Sequence, residues 1–417
     1  MRILLHSTAR KAALLGAIIL PAALYCFWSA RIAWAEHLAQ QGTQPALRRA
    51  TELRPNNAEY HFRLGRLLLS VDQNWEAAAV ALRRATELNP HHARYWLELS
   101  LVHHIRGDVG QREFALAQAL EADPTTPDVA WEAANIYLVS DRTDEALKLF
   151  RVVVQNDRVN ARKALDLAWR ATKDIDALLR YTVPDTEKAN SLLLSLICEY
   201  KEAAAAQVVW QRLVDLNGPV NREAALKFVD LLLKRGEGAN AAKAWDAITS
   251  LDPELAAYKP GRNLIVNPSF EQASLNGGLD WRLIRWDKRF TPAIDSSQAH
   301  TGAYSLAYTL NSRSLSDVGL LQYVPVAANT RYFFRGYVRS EELLTASGPR
   351  FVVRDASNDA QLFASEEVIG TVPWREHAGE FQTGPETTLL KVQVQRVPGN
   401  LVIAGRFWID DLELRKF

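Results

Sequence analysis

A six-residue phrase that returns at a near-fixed interval limits what this chain can fold into. Ala50-Thr51-Glu52-Leu53-Arg54-Pro55 recurs almost unchanged as Ala85-Thr86-Glu87-Leu88-Asn89-Pro90, and a worn copy closes at Ala119-Leu120-Glu121-Ala122-Asp123-Pro124. From Pro55 to Pro90 to Pro124 the intervals are 35 and 34 residues. Proline carries no amide hydrogen and disfavours helix in the residue before it, so each copy ends one helix and opens the approach to the next. A single helix pair cannot bury its own apolar face, whereas stacked neighbours can. The spacing therefore predicts an array of paired helices; a helical bundle with unrelated prolines would not keep the interval.

The details resemble the tetratricopeptide repeat. Leu64-Gly65, Leu99-Ser100 and Ala133-Ala134 occupy that family's Leu-Gly position, where a small side chain lets helices approach, and His103 and Tyr137 take its mid-helix aromatic slot. Arg158 stands where a fourth proline is due, and Pro219 and Pro253 recover the interval of 34. Three repeats, starting near Ala58, Ala93 and Pro127, are clear. Residues 160–218 hold helix-length segments, Ala161 to Ala171 and Ser191 to Leu216, with a worn motif. Six or so repeats would fill the length. The resemblance implies a groove lined by each pair's first helix, with Phe62, Arg66, Arg94, Leu97, His104, Trp131 and Asn135 as candidate contacts for a partner protein. These do not reproduce the Lys/Asn clamp that some relatives use for terminal carboxylates.

Residues 12–30 carry no charge. Nineteen helical residues at about 1.5 Å each span roughly 28 Å, the hydrocarbon thickness of a bilayer. Arg2, Arg10 and Lys11 precede the stretch and Arg31 alone follows closely. This bias predicts a cytoplasmic amino terminus and a periplasmic remainder in a bacterial inner membrane. Ala33-Trp34-Ala35 also has the small-residue spacing of a signal-peptidase site, which keeps a cleaved signal peptide open. Against cleavage, Trp34 stands 21 residues before Pro55, the aromatic slot of an extra repeat that would let the membrane helix run into the array. The expected division is 1–35 anchor or signal, 36–258 helical repeats, and 259–417 β-sandwich.

Near Tyr258-Lys259-Pro260-Gly261 the apolar period falls towards two. Residues 320–326, 331–339, 351–354, 389–397 and 407–414 read as strands separated by Asn276-Gly277-Gly278, Ser347-Gly348-Pro349 and Pro398-Gly399-Asn400, the spacing of an all-β sandwich. The run Asn263-Leu264-Ile265-Val266-Asn267-Pro268-Ser269-Phe270-Glu271, then Trp281, then His300-Thr301-Gly302-Ala303-Tyr304-Ser305-Leu306, then Phe407-Trp408-Ile409-Asp410-Asp411-Leu412 is similar to the jelly-roll carbohydrate-binding modules attached to xylanases and glucanases. The resemblance spans the last third and implies a structural calcium ion between Glu271 and Asp410. Alternation along Trp408, Asp410, Leu412 and Leu414 points Asp410 inward, where a buried carboxylate needs a cation, a salt bridge or a loop to cap.

A ligand face is expected from Phe333, Arg335 and Tyr337 on one strand and Gln393 and Gln395 on another, provided that the two share a sheet; an ordinary solvated face is the alternative. Trp286, between Arg285 and Asp287, completes the candidate set, while Trp281, Trp374 and Trp408 are expected in the core. The 49 basic and 48 acidic residues give no overall field for nucleic acid. P-loop, dinucleotide-glycine, GxSxG and HExxH motifs are missing, and the adjacent pairs Glu341-Glu342, Glu366-Glu367 and Asp410-Asp411 would face opposite sides of a strand, the wrong arrangement for glycoside hydrolysis. Cys26 and Cys198 sit in no metal or redox spacing. The expectation is a non-catalytic membrane-anchored scaffold for partner proteins, in surface polysaccharide assembly or export. The alternative is a glycan-binding protein whose repeats are a spacer.

Overall fold

The computed structural model describes residues 8–218, 220–284, 290–312 and 315–417; Pro219 and Trp286 lie outside them. The chain divides into two compact units, Met1–Val183 and Pro184–Phe417.

The first unit begins with helix α1 (Thr8–Gln40), which passes unbroken from the apolar stretch into the array. It pairs with α2 (Gln44–Leu53), and α3 (Ala58–Ser70) with α4 (Trp75–Leu88), α5 (Ala93–Arg106) with α6 (Val109–Ala122), and α7 (Pro127–Leu138) with α8 (Thr143–Asn156). Pro55, Pro90 and Pro124 each fall in the turn just beyond a second helix, and Asn57 starts α3 by accepting from the amides of Glu59 and Tyr60. Gly65 shows why the Leu-Gly position stays small: a Cβ there would stand 2.5 Å from Leu82 Cγ. Ser100 and Ala134 at the same position are fully buried.

Trp34 departs from the expected slot. It is 55% exposed and stacks on His37, while Ala35 and Ala39, at 0% and 3%, pack into the array. The side chain that meets α2 and α3 at such close range has to be small.

The fifth pair is worn. After α9 (Ala161–Thr172), the second helix shrinks to α10 (Ile175–Ala177), which widens into a π-type turn over Leu178–Thr182. Pro184 follows within two residues and removes the room for more helix.

The second unit opens with α11 (Glu187–Glu199), α12 (Ala203–Asp215), α13 (Arg222–Lys234) and α14 (Gly238–Leu251), then a 3₁₀ turn, Pro253–Tyr258. The segment expected as one helix from Ser191 to Leu216 is thus two, parted at Lys201, whose φ of 61° ends helical geometry. This makes seven helix pairs among the described residues, the fifth and sixth being those whose motif is worn.

Ten strands complete the unit: β1 (Arg282–Leu283), β2 (Phe290–Asp295), β3 (Ser305–Ser312), β4 (Asp317–Pro325), β5 (Arg331–Thr345), β6 (Arg350–Asp355), β7 (Gln361–Ala364), β8 (Gly370–Gln382), β9 (Leu389–Gln395) and β10 (Ile403–Lys416). They form two antiparallel sheets, in the orders β1-β4-β9-β6-β7 and β2-β3-β10-β5-β8. Trp281, Tyr308, Tyr332, Phe334, Phe351 and Phe407 fill the space between them.

The last helix pair sits against this sandwich. Trp245 donates to the Tyr258 carbonyl and lies over Gly278, Asp230 accepts from the Gly278 amide and pairs with Arg282, and Gly238 abuts the Thr388 carbonyl. Tyr258 Oη donates to Ala273 O at 2.6 Å.

Candidate functional site

On β5 the side chains alternate strictly, with Tyr332, Phe334 and Val338 in the core and Phe333, Arg335 and Tyr337 outside. The partners across the sheet follow the register: Arg335 faces Glu413 of β10 and forms a 2.7 Å ion pair, and Tyr337 faces Glu376 of β8 and donates to it at 2.8 Å. Arg415 lies 4.8 Å from the Phe333 ring centroid. Gln393 and Gln395 stand on β9, which belongs to the other sheet. The two halves of the expected face are therefore separate: Phe333, Arg335 and Tyr337 share one outer surface, and Gln393 and Gln395 share another with Arg354. Trp286 lies outside the described residues.

The inward placement of Asp410 is corrected by a bulge. Asp411 adopts a φ of 48°, and the β5–β10 register shifts between Asp410 and Glu413. Trp408 and Asp410 thus share the outer side while Leu412 and Leu414 turn to the core. Trp408 is nonetheless buried, with Arg339 and Arg406 over its ring at 5.8 and 5.4 Å and its indole N–H donating to Asp295. Trp281 is core, as expected, and Trp374 is not: it stands half-exposed on β8 with its ring 5.7 Å from that of His300.

Asp410 is covered by the His300–Tyr304 loop. Its Oδ2 accepts from the amides of His300 at 2.8 Å and Thr301 at 3.3 Å, and burial pushes its carboxyl up to about 6. Glu271 Oε1 accepts from the amides of Ala303 and Tyr304, at 2.8 and 3.0 Å. Asp411 completes the clamp, accepting from Ser269 and Thr301 hydroxyls and meeting His300 Nδ1 at 2.6 Å; His300 in turn stacks on Tyr337 at 3.8 Å. A calcium ion needs six to eight oxygens. What converges on Glu271 and Asp410 here is amide hydrogen, and no group of three or more metal-ligating side chains forms among the described residues. The arrangement fits a loop clamp in which these carboxylates are satisfied by backbone donors.

In the array, the first helices α3, α5 and α7 touch one another, so they share one side. Phe62 and Leu97 are buried between helices, with Phe62 against Tyr95 at 4.7 Å. Arg66 and Arg94 remain exposed, and His104, Trp131 and Asn135 are half-buried. Arg66 pairs with Glu98 at 3.0 Å and, with Arg63, Ala39, Leu47 and Ser70, borders an open cavity of about 470 Å³. Sequence reasoning missed Arg63, one turn before Arg66 on α3, and Glu98, which the neighbouring α5 brings to Arg66; it also did not bring together His300, Trp374 and Glu376, whose meeting depends on loop closure and register.

Residues 71–111 match the tetratricopeptide repeat family. No curated protein matches the chain. Among solved structures, the CBM22-1 xylan-binding domain of Xyn10C from Paenibacillus barcinonensis is similar at 20% identity, over 36% of this chain and 91% of that one, with a TM-score of 0.26. TmCBM61, solved in complex with β-1,4-galactotriose, is similar at 22% identity over 38% of this chain and 100% of that one, with a TM-score of 0.28. MamA protein is similar at 16% identity over 37% and 87%, with a TM-score of 0.31. The chain joins an array of paired helices, within which residues 71–111 match the tetratricopeptide repeat family, to an all-β sandwich of two antiparallel sheets.

Proposed function

We propose that this protein is a non-catalytic scaffold held in a bacterial inner membrane by α1, with its repeats on the periplasmic side binding partner proteins and its sandwich engaging a glycan, in the assembly or export of a surface polysaccharide. The observation that carries this reading is the double role of α1. Its apolar part is long enough to cross a bilayer, and its last turns are the first helix of the array. Cleavage after Ala35 would remove Arg31, whose Nε donates to Leu53 O at 2.8 Å, and would cut the helix at its most buried residue. A retained anchor keeps that packing intact.

The partner-protein role is supported by the exposed Arg66 beside its cavity and by the half-buried Trp131, groups that suit a peptide with carboxylate and apolar side chains. The glycan role is supported by the Phe333–Arg335–Tyr337 surface, where rings alternate with charged hydrogen-bonding groups. Two measurements test the reading. Mass spectrometry of the membrane fraction is expected to find residues 8–35 attached to the rest; a mature chain starting at Glu36 overturns the anchor. Full-length protein in detergent is expected to retain envelope proteins that the Arg66→Glu/Trp131→Ala variant loses. If both retain the same proteins while Phe333→Ala/Tyr337→Ala loses bound glycan, the repeats are a spacer and the second reading of a glycan-binding protein takes over.

A further inference from the structure

The bilayer boundary can be located on α1, and the array's own hydrogen bonds carry that height to neighbouring segments. Lys11 and Arg31 bracket the uncharged residues 12–30, so Arg31 marks the outer edge of the hydrocarbon. Glu36, five residues on, stands about 7.5 Å higher, within the headgroup layer that adds roughly 5–8 Å to each side. Trp28 and Trp34, 54% and 55% exposed, flank this level, where indole rings favour the interface.

Two contacts transfer the level sideways. Arg31 Nε reaches Leu53 O, at the end of α2, and Tyr60 Oη donates to Glu36 Oε2 at 2.8 Å, at the start of α3. The turn between them, Arg54–Asn57, therefore lies at the same height as residues 31–36. Because helices alternate in direction, the next turn of the same kind, Asn89–His92, falls on the same edge of the array. Tilting α1 lowers part of this edge into the lipid. The edge carries two arginines, Arg54 and Arg94, among exposed polar groups. Pro55, Asn56, Pro90, His91, His92 and Arg94 are exposed, and Arg54 and Arg94 lie 6.0 Å from the Tyr60 and Phe62 ring centroids.

We propose that the Arg54–Asn57 and Asn89–His92 turns form a bilayer-docking edge on which Arg54 and Arg94 meet the phosphates of anionic phospholipids. The first repeats then lie along the membrane that α1 spans. This rests on the anchored reading of α1, and the test separates the two.

The full chain carrying Cys26→Ser is reconstituted in nanodiscs of phosphatidylcholine with phosphatidylglycerol, and Cys198, which is buried, is left in place. Nitroxide labels are attached singly at Tyr25→Cys, Asn56→Cys and Asp72→Cys, and their accessibility to oxygen and to a water-soluble nickel complex is read by electron paramagnetic resonance. The expected depths are hydrocarbon for position 25, headgroup for 56 and water for 72. A label at 56 as open to nickel as that at 72, with 25 still in hydrocarbon, overturns the docking edge and leaves the anchor standing; a label at 25 in water overturns both. With phosphatidylglycerol present, Arg54→Glu/Arg94→Glu is expected to raise nickel access at 56 by about twofold or more. An unchanged value there, or the same depth in phosphatidylcholine alone, overturns the role of the two arginines.

Discussion

Gly278 and the ring of Trp245 are in such close contact that a Cβ on the glycine would stand 2.1 Å from Trp245 Cζ3. The glycine also holds a φ of 61°, which other L-residues adopt at a cost. Here the last helix pair and the sandwich share one packed seam, reinforced by Asp230 between the Gly278 amide and Arg282. Gly278→Ala is expected to destabilise the second unit by about 2–4 kcal/mol, overpacking and backbone strain together. Calorimetry on the full chain checks it: the transition containing the sandwich should fall by several degrees, and an unchanged melting temperature would mean that the seam opens without cost.

The raised carboxyl of Asp410 gives the sandwich a pH dependence of definite sign. Burial raises the folded value to about 6, so the folded state holds the proton more tightly than the unfolded chain does. Its stabilising contribution is complete below the unfolded value near 3.9 and disappears as pH rises through about 6. Asp280, also pushed up to about 6 by burial, acts in the same direction. His377, held below its usual value by burial, acts in the opposite direction, so the effect is read as a difference: between pH 4.5 and 7.5 the wild type is expected to lose roughly 3–6 °C of melting temperature relative to Asp410→Asn. Equal slopes for the two proteins would show that Asp410 does not titrate in this range.

Glu271 and Asp410 close the His300–Tyr304 loop through amide hydrogens. Dialysis against a chelator is expected to leave the melting temperature of the sandwich unchanged, and added calcium to leave it unchanged too. A drop of several degrees with chelator, restored by calcium, would reinstate the ion that the family resemblance implies. Glu271→Gln keeps an acceptor for Ala303 and Tyr304, and should cost less than Glu271→Ala.

What the sequence made legible follows from which constraints are local. Proline stops a helix wherever it stands, so Pro55, Pro90 and Pro124 announced the turns of the array, and a charge-free run of membrane length announced α1. Period-two alternation told which side of β5 carries Phe333, Arg335 and Tyr337. It could not tell which strands become neighbours, because pairing depends on the whole topology; hence Gln393 and Gln395 lie on the other sheet. Alternation also fails wherever one residue is added. Asp411, in left-handed geometry that Asp tolerates, reverses the strand between Asp410 and Leu412, and no pattern in Phe407 to Leu414 signals it. Trp34 was misplaced for a different reason: aromatic residues suit both a repeat's slot and a bilayer interface, and the close approach of α1 to its neighbours admits only Ala35 and Ala39.

The Gly65–Leu82 contact tests whether that close approach governs the array as a whole. Gly65→Ala would place its methyl 2.5 Å from Leu82 Cγ and 2.8 Å from Cδ2, side-chain atoms that can move only by disturbing a fully buried leucine. Its expected cost is about 1–3 kcal/mol, although alanine is the better helix former by roughly 1 kcal/mol. Leu82→Ala alone should cost about 2–5 kcal/mol through the cavity that it leaves. In the double variant the new methyl occupies part of that cavity, so the two costs should not add: the double variant is expected to be at least about 1 kcal/mol more stable than their sum. Denaturant unfolding of the four proteins measures this coupling directly. Simple additivity would mean that α3 and α4 shift apart to admit the methyl, and that a small residue at the Leu-Gly position is not what sets the spacing of the helices.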